Sequence, residues 1–378
     1  MENLVIKLFK KKFKGKRILI FGNSGFVGSW LSVALNFFGA NILGISLKMH
    51  NINYLSNTNT FKKNIKTINC DLKNLNKIEK NIKIFKPQIA IHLAAQPIVK
   101  VGFLDPVKTY ETNISGTIKI FEILRKIPSI KKILVFTSDK VYSNNKKKLL
   151  TEDSLLGGLD PYSASKSAQD IISQSYGFSF FNNKQMIILR SGNIIGGGDW
   201  SNNRIIPDII RSYLHKQILK VRSINSTRPW IHIFDVINAM LLILIKKDLK
   251  NQNNSIFNLS PHKKKQVSVK KILYLIKNNT VIKNIKIKII KNNLKEKKYL
   301  HISSNKALKN LNWKTKLNLI ESLKLTVKYY LLSKDKAYDE ATKQIKDFFF
   351  KKLEFMAERQ GFEPWVPLTV HTLSKRAP

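Results

Sequence analysis

Short apolar runs alternate with longer amphipathic stretches along the first half of the chain. The apolar runs occupy residues 16–21, 41–47, 66–69, 89–93, 133–136 and 186–190. The amphipathic stretches include residues 29–38, 105–126 and 162–176. Buried parallel strands read as short apolar runs, and helical crossovers join them. The pattern therefore predicts an α/β fold with a doubly wound parallel sheet.

The alternation stops near residue 190, which predicts a second, smaller part of the molecule. We predict a first domain over residues 1–190 that returns to the sheet at about 230–260, and a mixed α/β substrate-binding lobe over 191–229 and 261–350. Residues 354–378 lack Asn, contain little Lys and carry closely spaced Pro and Trp residues. We interpret this last segment as an appended or misread stretch outside the fold.

A glycine-rich turn follows the first apolar run and opens the first long helix. Residues 22–28 read Gly-Asn-Ser-Gly-Phe-Val-Gly. Such glycines permit a tight turn and a close approach of the backbone to a pyrophosphate at the helix N-terminus. The turn predicts a Rossmann-type dinucleotide site, with contacts from Gly22, Gly25, Phe26, Val27 and Gly28.

The ribose end of this site lacks its usual acidic residue. An Asp or Glu about 20 residues after the glycines is expected to bind the ribose of NAD. Lys48 and His50 occupy that region. On the residues alone, the choice between NAD and NADP stays open.

Ser138, Tyr162 and Lys166, in the middle of the chain, are candidate catalytic residues. Tyr162 and Lys166 are four apart, so on a helix they share one face, where the ammonium lowers the phenol pKa from roughly 10 and makes Tyr162 a general base. Ser138 follows the run 133–136, at the ligand edge of a parallel sheet. The Tyr-Lys pair alone also fits an ordinary surface helix. The order of strand, glycine turn, helix, Ser and Tyr-x-x-x-Lys favours hydride chemistry on an alcohol or carbonyl.

The charge of the chain is strongly positive, with 67 Lys plus Arg against 24 Asp plus Glu and a formal net charge of +43. Such an excess raises the alternative of a polyanion-binding protein. However, the Lys residues are scattered and accompany abundant Asn and Ile, as an AT-rich genome produces. We therefore interpret them as solvated surface and expect no specific nucleic-acid partner.

Arginine is distributed differently from lysine. Five of the nine Arg residues lie between positions 190 and 228: Arg190, Arg204, Arg211, Arg222 and Arg228. The planar guanidinium binds phosphate with two hydrogen bonds. This cluster predicts a substrate that contains a diphosphate.

The remaining composition bears on the cellular compartment. The single Cys70 excludes an internal disulfide and has no partners for a metal site. The chain lacks an uninterrupted apolar stretch of about 18 residues, as a membrane span requires. These features predict a cytoplasmic protein without a membrane span or a metal.

The residues described so far resemble the extended short-chain dehydrogenase/reductase family, in its NAD-dependent epimerase/dehydratase group, over about residues 16–348. The most specific segments are residues 25–31, 92–97, 137–140, 158–166, 192–200 and 228–230. Related sugar-nucleotide dehydratases carry Thr-Asp-Glu after the fifth strand. The sequence here is Ser138-Asp139-Lys140, as in the branch that acts on CDP-glucose.

The resemblance implies a hydro-lyase that converts CDP-glucose to CDP-4-keto-6-deoxyglucose with tightly held NAD. The implied catalytic residues are Ser138, Asp139, Lys140, Tyr162 and Lys166. Asp139 is expected to protonate the leaving 6-hydroxyl. Lys140 is expected either to remove the C5 proton or to position the sugar.

The resemblance also implies the binding residues. Besides the glycine turn and the Tyr-Lys pair, NAD is expected to contact Asp71, Leu72, Leu93, Ala94, Ala95 and Asn113. The substrate is expected to contact Gln96, Ser138, Asn193, Arg204 and Arg228. Asp71 fits a helix N-cap nearly as well, and Asn113 also fits an ordinary exposed Asn. Asp235 is interpreted as the cap of a helix over residues 236–245.

Two alternatives and one partner complete these expectations. A nucleotide-sugar epimerase of the same family is the nearer alternative, but an epimerase has no water to expel and needs no Asp139 beside Lys140. A non-enzymatic, polyanion-binding Rossmann protein is the more distant one. Family precedent implies a homodimer or higher homo-oligomer through the two long helices that carry Asn113 and Tyr162.

Overall fold

The computed structural model describes residues 4–48, 55–143, 149–246, 254–262, 267–290 and 299–350. Its strands are β1 Arg17–Phe21, β2 Asn41–Ser46, β3 Lys66–Asn69, β4 Ile89–His92, β5 Lys132–Phe136, β6 Gln185–Ser191, β7 Ile194–Ile195, β8 Leu219–Val221, β9 Thr227–Arg228, β10 Ile231–His232, β11 Asn254–Leu259, β12 Val267–Ser268 and β13 Ile287–Ile289. Its α-helices are α1 Leu4–Phe13, α2 Phe26–Phe37, α3 Asn59–Asn64, α4 Glu79–Phe85, α5 Val99–Leu104, α6 Pro106–Tyr110, α7 Gly116–Arg125, α8 Pro161–Ser179, α9 Ile205–Leu214, α10 Ile233–Ile245, α11 Val269–Asn279, α12 Asn305–Leu311, α13 Leu319–Tyr330 and α14 Ala337–Phe349. The atypical segment 354–378 lies outside the described residues.

Seven of these strands form one parallel sheet in the order β11-β6-β5-β4-β1-β2-β3. This order confirms the predicted doubly wound α/β fold. The direction of winding reverses between β1 and β4, where Phe21 lies opposite His92. Ligands of such sheets bind in the crevice at the carboxyl ends of the strands, at this switch point.

Hydrophobic cores cover both faces of the sheet, because alternate residues of a strand point to opposite sides. On one face, Ile18 and Ile20 of β1 pack with residues of α2, α10 and α14. On the other face, Leu19 and Phe21 pack with residues of α7. Both faces of β1 are therefore buried from solvent, which explains its uninterrupted apolar sequence.

A third core holds the smaller lobe together. It joins Ile209 of α9, Ile272 of α11 and Leu323 of α13 with Leu219 and Val221 of β8, the strand that pairs with β13. The C-terminal helix α14 lies elsewhere: Phe349 packs at 5.5 Å from Phe9 of α1, ring centroid to ring centroid. The C-terminal helices thus contact both halves of the molecule and do not belong to the lobe alone.

Three local features differ from the sequence interpretation. The long helix expected over residues 105–126 is divided into α6, a π-helical segment Glu111–Ser115 and α7. Helix α10 begins at Ile233 with His232 as its N-cap, so Asp235 is not the cap. The Asp235 carboxylate instead accepts hydrogen bonds from the amides of Lys316 and Leu317, at 2.7 and 3.4 Å.

Two short helical elements lie between β2 and β3. Residues Leu55–Asn57 form a 3₁₀ turn, and α3 follows with Thr58 as its N-cap. Within the described residues, the structure contains no helix whose length and apolar character suffice to cross a lipid bilayer.

Candidate active site

The glycine turn between β1 and α2 packs directly against the end of β4. Gly22 has φ +87, and a Cβ there would lie 2.6 Å from the amide nitrogen of Ala94. A Cβ on Gly28 would lie 2.1 Å from the carbonyl oxygen of Gly22. Gly25 is the N-cap of α2, and its nearest neighbour would be 3.5 Å away. The backbone of the turn is tightly packed at Gly22 and Gly28, whereas there is space beside Gly25 at the N-terminus of α2. This space suits the pyrophosphate of a dinucleotide.

Other predicted cofactor residues surround this turn. Asp71 is the N-cap of the 3₁₀ segment Leu72–Ile78 and accepts a hydrogen bond from the Lys73 amide at 2.9 Å. Leu93 and Ala95, which follow β4, line the cleft at the switch point. The contact of Asp71 with NAD stays a prediction, and in this structure its Oδ1 caps the 3₁₀ segment.

Asn113 connects two elements of the site. Its Oδ1 accepts from the Gln96 amide at 2.8 Å, and its Nδ2 donates to the Gln96 carbonyl at 3.1 Å and to Ser165 Oγ at 2.9 Å. It lies in the π-helical segment, a feature that is frequent at functional sites. Asn113 is fully buried and ties the turn after β4 to helix α8.

Gln96 is engaged within the protein. Its Nε2 donates to Thr109 Oγ1 at 2.8 Å and its Oε1 accepts from the Ile98 amide at 2.6 Å. It is not among the residues that line the cleft. The substrate contact expected of Gln96 stays a prediction, and in this arrangement its side chain shapes the turn.

The turn after β5 concentrates three of the predicted catalytic residues. Ser138 caps the 3₁₀ segment Asp139–Val141 by accepting from the Lys140 amide at 3.2 Å. Lys140 Nζ lies 3.3 Å from Asp139 Oδ1, and Asn193 Nδ2 donates to Asp139 Oδ2 at 2.8 Å. Asp139 is fully buried, whereas Ser138 and Lys140 line the cleft.

Tyr162 reaches the same cleft from the first turn of α8. The helix starts there because Pro161 occupies its first position and Asp160 accepts from the Ser163 amide at 2.9 Å. Burial raises the pKa of Tyr162 to about 12, while a hydrogen bond with Ser138 and the charge of Arg204 act in the opposite direction. The phenol therefore needs a further positive charge to act as a base.

Lys166 lines the cleft one turn further along α8. Its ammonium donates to Gln169 Oε1 at 2.7 Å and to the Phe136 carbonyl at 3.3 Å. Burial lowers the pKa of Lys166 to about 7, and Asp170 counteracts this effect. The predicted Ser, Tyr and Lys thus line one cleft.

The cleft has a volume of about 330 Å³ and extends into the smaller lobe. Three members of the predicted arginine cluster line it, namely Arg204, Arg222 and Arg228. Arg190 does not, because it forms two hydrogen bonds to the buried carboxylate of Asp170, at 2.7 and 2.8 Å.

The fifth arginine also has a structural role. Arg211 pairs with Asp208 and donates to the carbonyls of Trp200 and Ser201, at 3.0 and 3.1 Å. Arg222 and Lys220, which also line the cleft, were absent from the predicted substrate contacts. The cluster of arginines in the sequence was the signal for Arg222, whereas nothing distinguished Lys220 from the many other lysines.

The loop after β7 attaches the smaller lobe to the glycine-turn helix. Trp30 of α2 donates from Nε1 to the Gly197 carbonyl at 2.8 Å. A Cβ on Gly197 would lie 2.2 Å from the Tyr329 ring of α13. The same loop carries Asp199, which pairs with Arg204 at 3.0 Å. The position of Arg204 in the cleft therefore depends on elements from both halves.

Comparison with known proteins assigns the family. The model of the NAD dependent epimerase/dehydratase family matches residues 18–260. The chain belongs to this family. Membership confirms the expected family resemblance and NAD as the cofactor, for which the glycine turn is suited.

The chain is similar in sequence to a curated dehydratase and in fold to several solved structures. It is 30% identical over 333 residues to CDP-glucose 4,6-dehydratase of Salmonella typhimurium. The aligned region covers 85% of this chain and 92% of the relative. The fold resembles dTDP-glucose 4,6-dehydratase of Bacillus anthracis in complex with NAD, with a TM-score of 0.69, 22% identity and coverage of 84% and 96% of the two chains. It also resembles UDP-glucose 4-epimerase of Thermotoga maritima with UDP-glucose, with a TM-score of 0.74, 21% identity and coverage of 83% and 98%.

Proposed function

We propose that the chain is a sugar-nucleotide 4,6-dehydratase that converts CDP-glucose to CDP-4-keto-6-deoxyglucose. The observation that carries the proposal is the contact between Asp139 and Lys140, beside Ser138 and Tyr162 at one edge of the sheet. An epimerase needs the Ser and Tyr but no acid and base for elimination. The similarity to the Salmonella CDP-glucose 4,6-dehydratase supports both the reaction and the nucleotide.

Tyr162 is assigned as the base for the oxidation of the sugar at C4. The phenolate takes the proton of the 4-hydroxyl, and Ser138 holds the same oxygen by a hydrogen bond. Because burial raises the pKa of Tyr162 to about 12, the positive charge of Lys166 is required to stabilise the phenolate. NAD held at the glycine turn of Gly22, Gly25 and Gly28 would supply the hydride acceptor for the oxidation at C4 and the hydride donor for the reduction at C6.

Loss of water across C5 and C6 needs one base and one acid. The 4-ketone acidifies the C5 proton. Lys140 Nζ and Asp139 Oδ1 are 3.3 Å apart, and the two groups are assigned as the base and the acid of this step. Lys140, acting as the neutral amine, takes the C5 proton, and Asp139, acting as the carboxylic acid, delivers its proton to the departing 6-hydroxyl. One pair thus supplies both catalytic groups without a net change in its protons.

The diphosphate of the substrate is assigned to the cationic half of the cleft. Arg204, Arg222 and Arg228 come from three different segments of the lobe and line the same space. Guanidinium groups bind phosphate oxygens in pairs. Asn193 lies at the junction between this region and the catalytic turn, and it is assigned a contact to the sugar.

A second copy of the chain is proposed to cover the face formed by α6 and α8. Large apolar side chains are exposed there: Val107 is 65% exposed, Ile171 53% and Phe178 69%. Exposed apolar residues that share a face of a soluble protein commonly mark an interaction surface. A homodimer through this face would bury them.

Incubation with separate nucleotide sugars tests the proposed function. Purified protein with NAD is supplied with CDP-glucose and, in parallel, with UDP-, GDP- and dTDP-sugars, and the loss of one water is followed by mass spectrometry. We expect conversion of CDP-glucose that Tyr162→Phe and Asp139→Asn abolish. A product of unchanged mass but altered stereochemistry would establish an epimerase instead. Absence of any product would overturn the proposal.

A further inference from the structure

A chain of buried hydrogen bonds runs from Lys166 into the protein interior. Lys166 Nζ donates to Gln169 Oε1 at 2.7 Å. Gln169 Nε2 donates to Thr117 Oγ1 at 3.0 Å and lies 3.0 Å from His92 Nε2. Lys166 is 3% exposed, His92 1%, and Gln169 and Thr117 are fully buried. Of these four residues, only Lys166 lines the cleft.

The hydroxyl of Thr117 fixes the orientation of the Gln169 carboxamide. Thr117 Oγ1 donates its single proton to the Asn113 carbonyl oxygen at 2.7 Å. Toward Gln169 this oxygen can only accept a hydrogen bond, so it must face the amide nitrogen. The carbonyl oxygen of Gln169 is thereby turned toward Lys166.

His92 stabilises the same orientation from a second side. Burial lowers the pKa of His92 to about 3, and the charge of Lys166 acts in the same direction. The imidazole is therefore neutral near pH 7. Its Nε2 lies 3.0 Å from Gln169 Nε2 and 2.9 Å from Thr117 Oγ1, so the ring contacts both groups that set the orientation of the carboxamide. Nδ1 of His92 has no hydrogen-bond partner among the residues that the structure describes. The polar contacts of the ring that the structure describes are therefore those of Nε2 with Thr117 and Gln169.

We propose that Gln169 is a positioning residue, locked by Thr117 and His92, that holds the Lys166 ammonium in the direction of the cleft. The ammonium has three N–H groups. One donates to Gln169 and one to the Phe136 carbonyl at 3.3 Å, which leaves one for the cleft. The consequence for Tyr162 rests on the proposed function, whereas the hydrogen-bond chain does not.

Charged and titratable groups from several elements surround Lys166. Asp170 follows on α8 and is neutralised by Arg190 of β6. Tyr162 precedes it by one turn, Lys140 lines the same cleft, and His92 approaches from β4. Gln169 Oε1, at 2.7 Å, is the nearer of the two neutral acceptors in contact with the ammonium, the other being the Phe136 carbonyl at 3.3 Å. Its removal is expected to disfavour the charged form of Lys166.

Competitive acetylation of the intact protein tests this role without any sugar substrate. The pH dependence of labelling at Lys166, resolved by peptide mass spectrometry, reports the titration of that one amine. In Gln169→Leu we expect the midpoint to move to lower pH by about one unit. Gln169→Glu is expected to move it to higher pH. Thr117→Val, which frees the carboxamide to rotate, is expected to shift it in the same direction as Gln169→Leu.

A matched control separates positioning from general destabilisation. Gln344→Leu removes another buried helical glutamine, which donates to Glu340 at 2.9 Å and does not line the cleft. It is expected to leave the Lys166 midpoint unchanged. An unchanged midpoint in folded Gln169→Leu would overturn the proposal. If that variant does not fold, an unchanged midpoint in Gln169→Glu overturns it equally. Because labelling needs no turnover, a failed CDP-glucose assay would leave this result interpretable.

Discussion

Asn193 donates a hydrogen bond from Nδ2 to Oδ2 of Asp139 at 2.8 Å. Asn193 reaches the carboxylate from a left-handed backbone conformation, with φ +53. Gly192 before it makes the approach possible, because a Cβ there would lie 2.2 Å from Asp139 Oδ1. The end of β6 is therefore shaped around the buried carboxylate that the end of β5 supplies.

Gly192→Ala is expected to lower the dehydratase kcat by roughly 100-fold, since a displacement of about 1 Å in a catalytic group has effects of this size. The added methyl would collide with the Asp139 carboxylate, so the carboxylate or the end of β6 must shift. Steady-state kinetics with CDP-glucose measures the effect. Gly15→Ala is the control for backbone strain alone. Gly15 has a positive φ of +72, unlike Gly192, and a Cβ there has no neighbour within 4 Å among the described residues. Equal losses in both variants would contradict a specific effect on Asp139.

Asp139→Asn is expected to stop the reaction after oxidation at C4. The amide cannot protonate the departing 6-hydroxyl, while Tyr162 and Ser138 stay in place. We expect the 340 nm absorbance of reduced cofactor to accumulate upon mixing with CDP-glucose, with overall turnover reduced by about 10²- to 10⁴-fold. Tyr162→Phe should give no such absorbance. A variant Asp139→Asn that neither turns over nor reduces the cofactor would place Asp139 in the first step instead.

The buried Lys166 makes stability depend on pH. Its pKa is lowered from the usual 10.5 to about 7, so between these values the unfolded chain binds the additional proton and the free energy of unfolding rises with pH. Lys166→Met removes this term. The substitution should therefore raise the free energy of unfolding more at pH 6.5 than at pH 9. We expect the two increases to differ by about 2 kcal/mol.

Urea unfolding of the parent chain and of Lys166→Met at the two pH values measures this difference. Lys343→Met, at an exposed position of α14, should show the same change in stability at both. A pH-independent effect of Lys166→Met would show that Lys166 titrates normally.

The sequence predicted the main sheet well because local and long-range signals agree there. Residues 16–21 are apolar at every buried position of β1, and the glycine turn follows immediately. The order of strands follows from the general rules of parallel sheets. Tyr162, Lys166 and Ser138 could be brought together from spacing alone, because one helix and one strand end determine their positions.

The contacts between distant segments were not predictable in the same way. Asp235 sits next to a helix start, which resembles a cap, but its partners Lys316 and Leu317 are about 80 residues away. Likewise, nothing local distinguishes Arg190, which pairs with Asp170 inside the protein, from Arg222, which lines the cleft. An arginine can be assigned as a phosphate ligand only when the fold shows that its side chain lines the cleft.

Asp170→Asn is expected to destabilise the protein by about 3–5 kcal/mol, because it leaves the buried Arg190 guanidinium without its counter-charge. The two side chains are 1% and 0% exposed. Asp208→Asn is the matched control: its pair with Arg211 is 24–32% exposed, so a loss below about 1 kcal/mol is expected. Chemical unfolding near pH 7 compares the two. Similar losses would indicate that burial does not decide the contribution of the ion pair.

Arg222→Met is expected to raise KM for CDP-glucose about tenfold while kcat changes less than about twofold. Arg222 lines the part of the cleft assigned to the diphosphate and lies outside the Ser138-Asp139-Lys140 turn, so it should bind the ground state and the transition state equally. The dependence of KM on salt should also weaken, since one phosphate contact is lost. Arg125→Met, on the exposed side of α7 next to Glu122, should leave both constants unchanged. A fall in kcat equal to the fall in kcat/KM would instead assign Arg222 to the transition state.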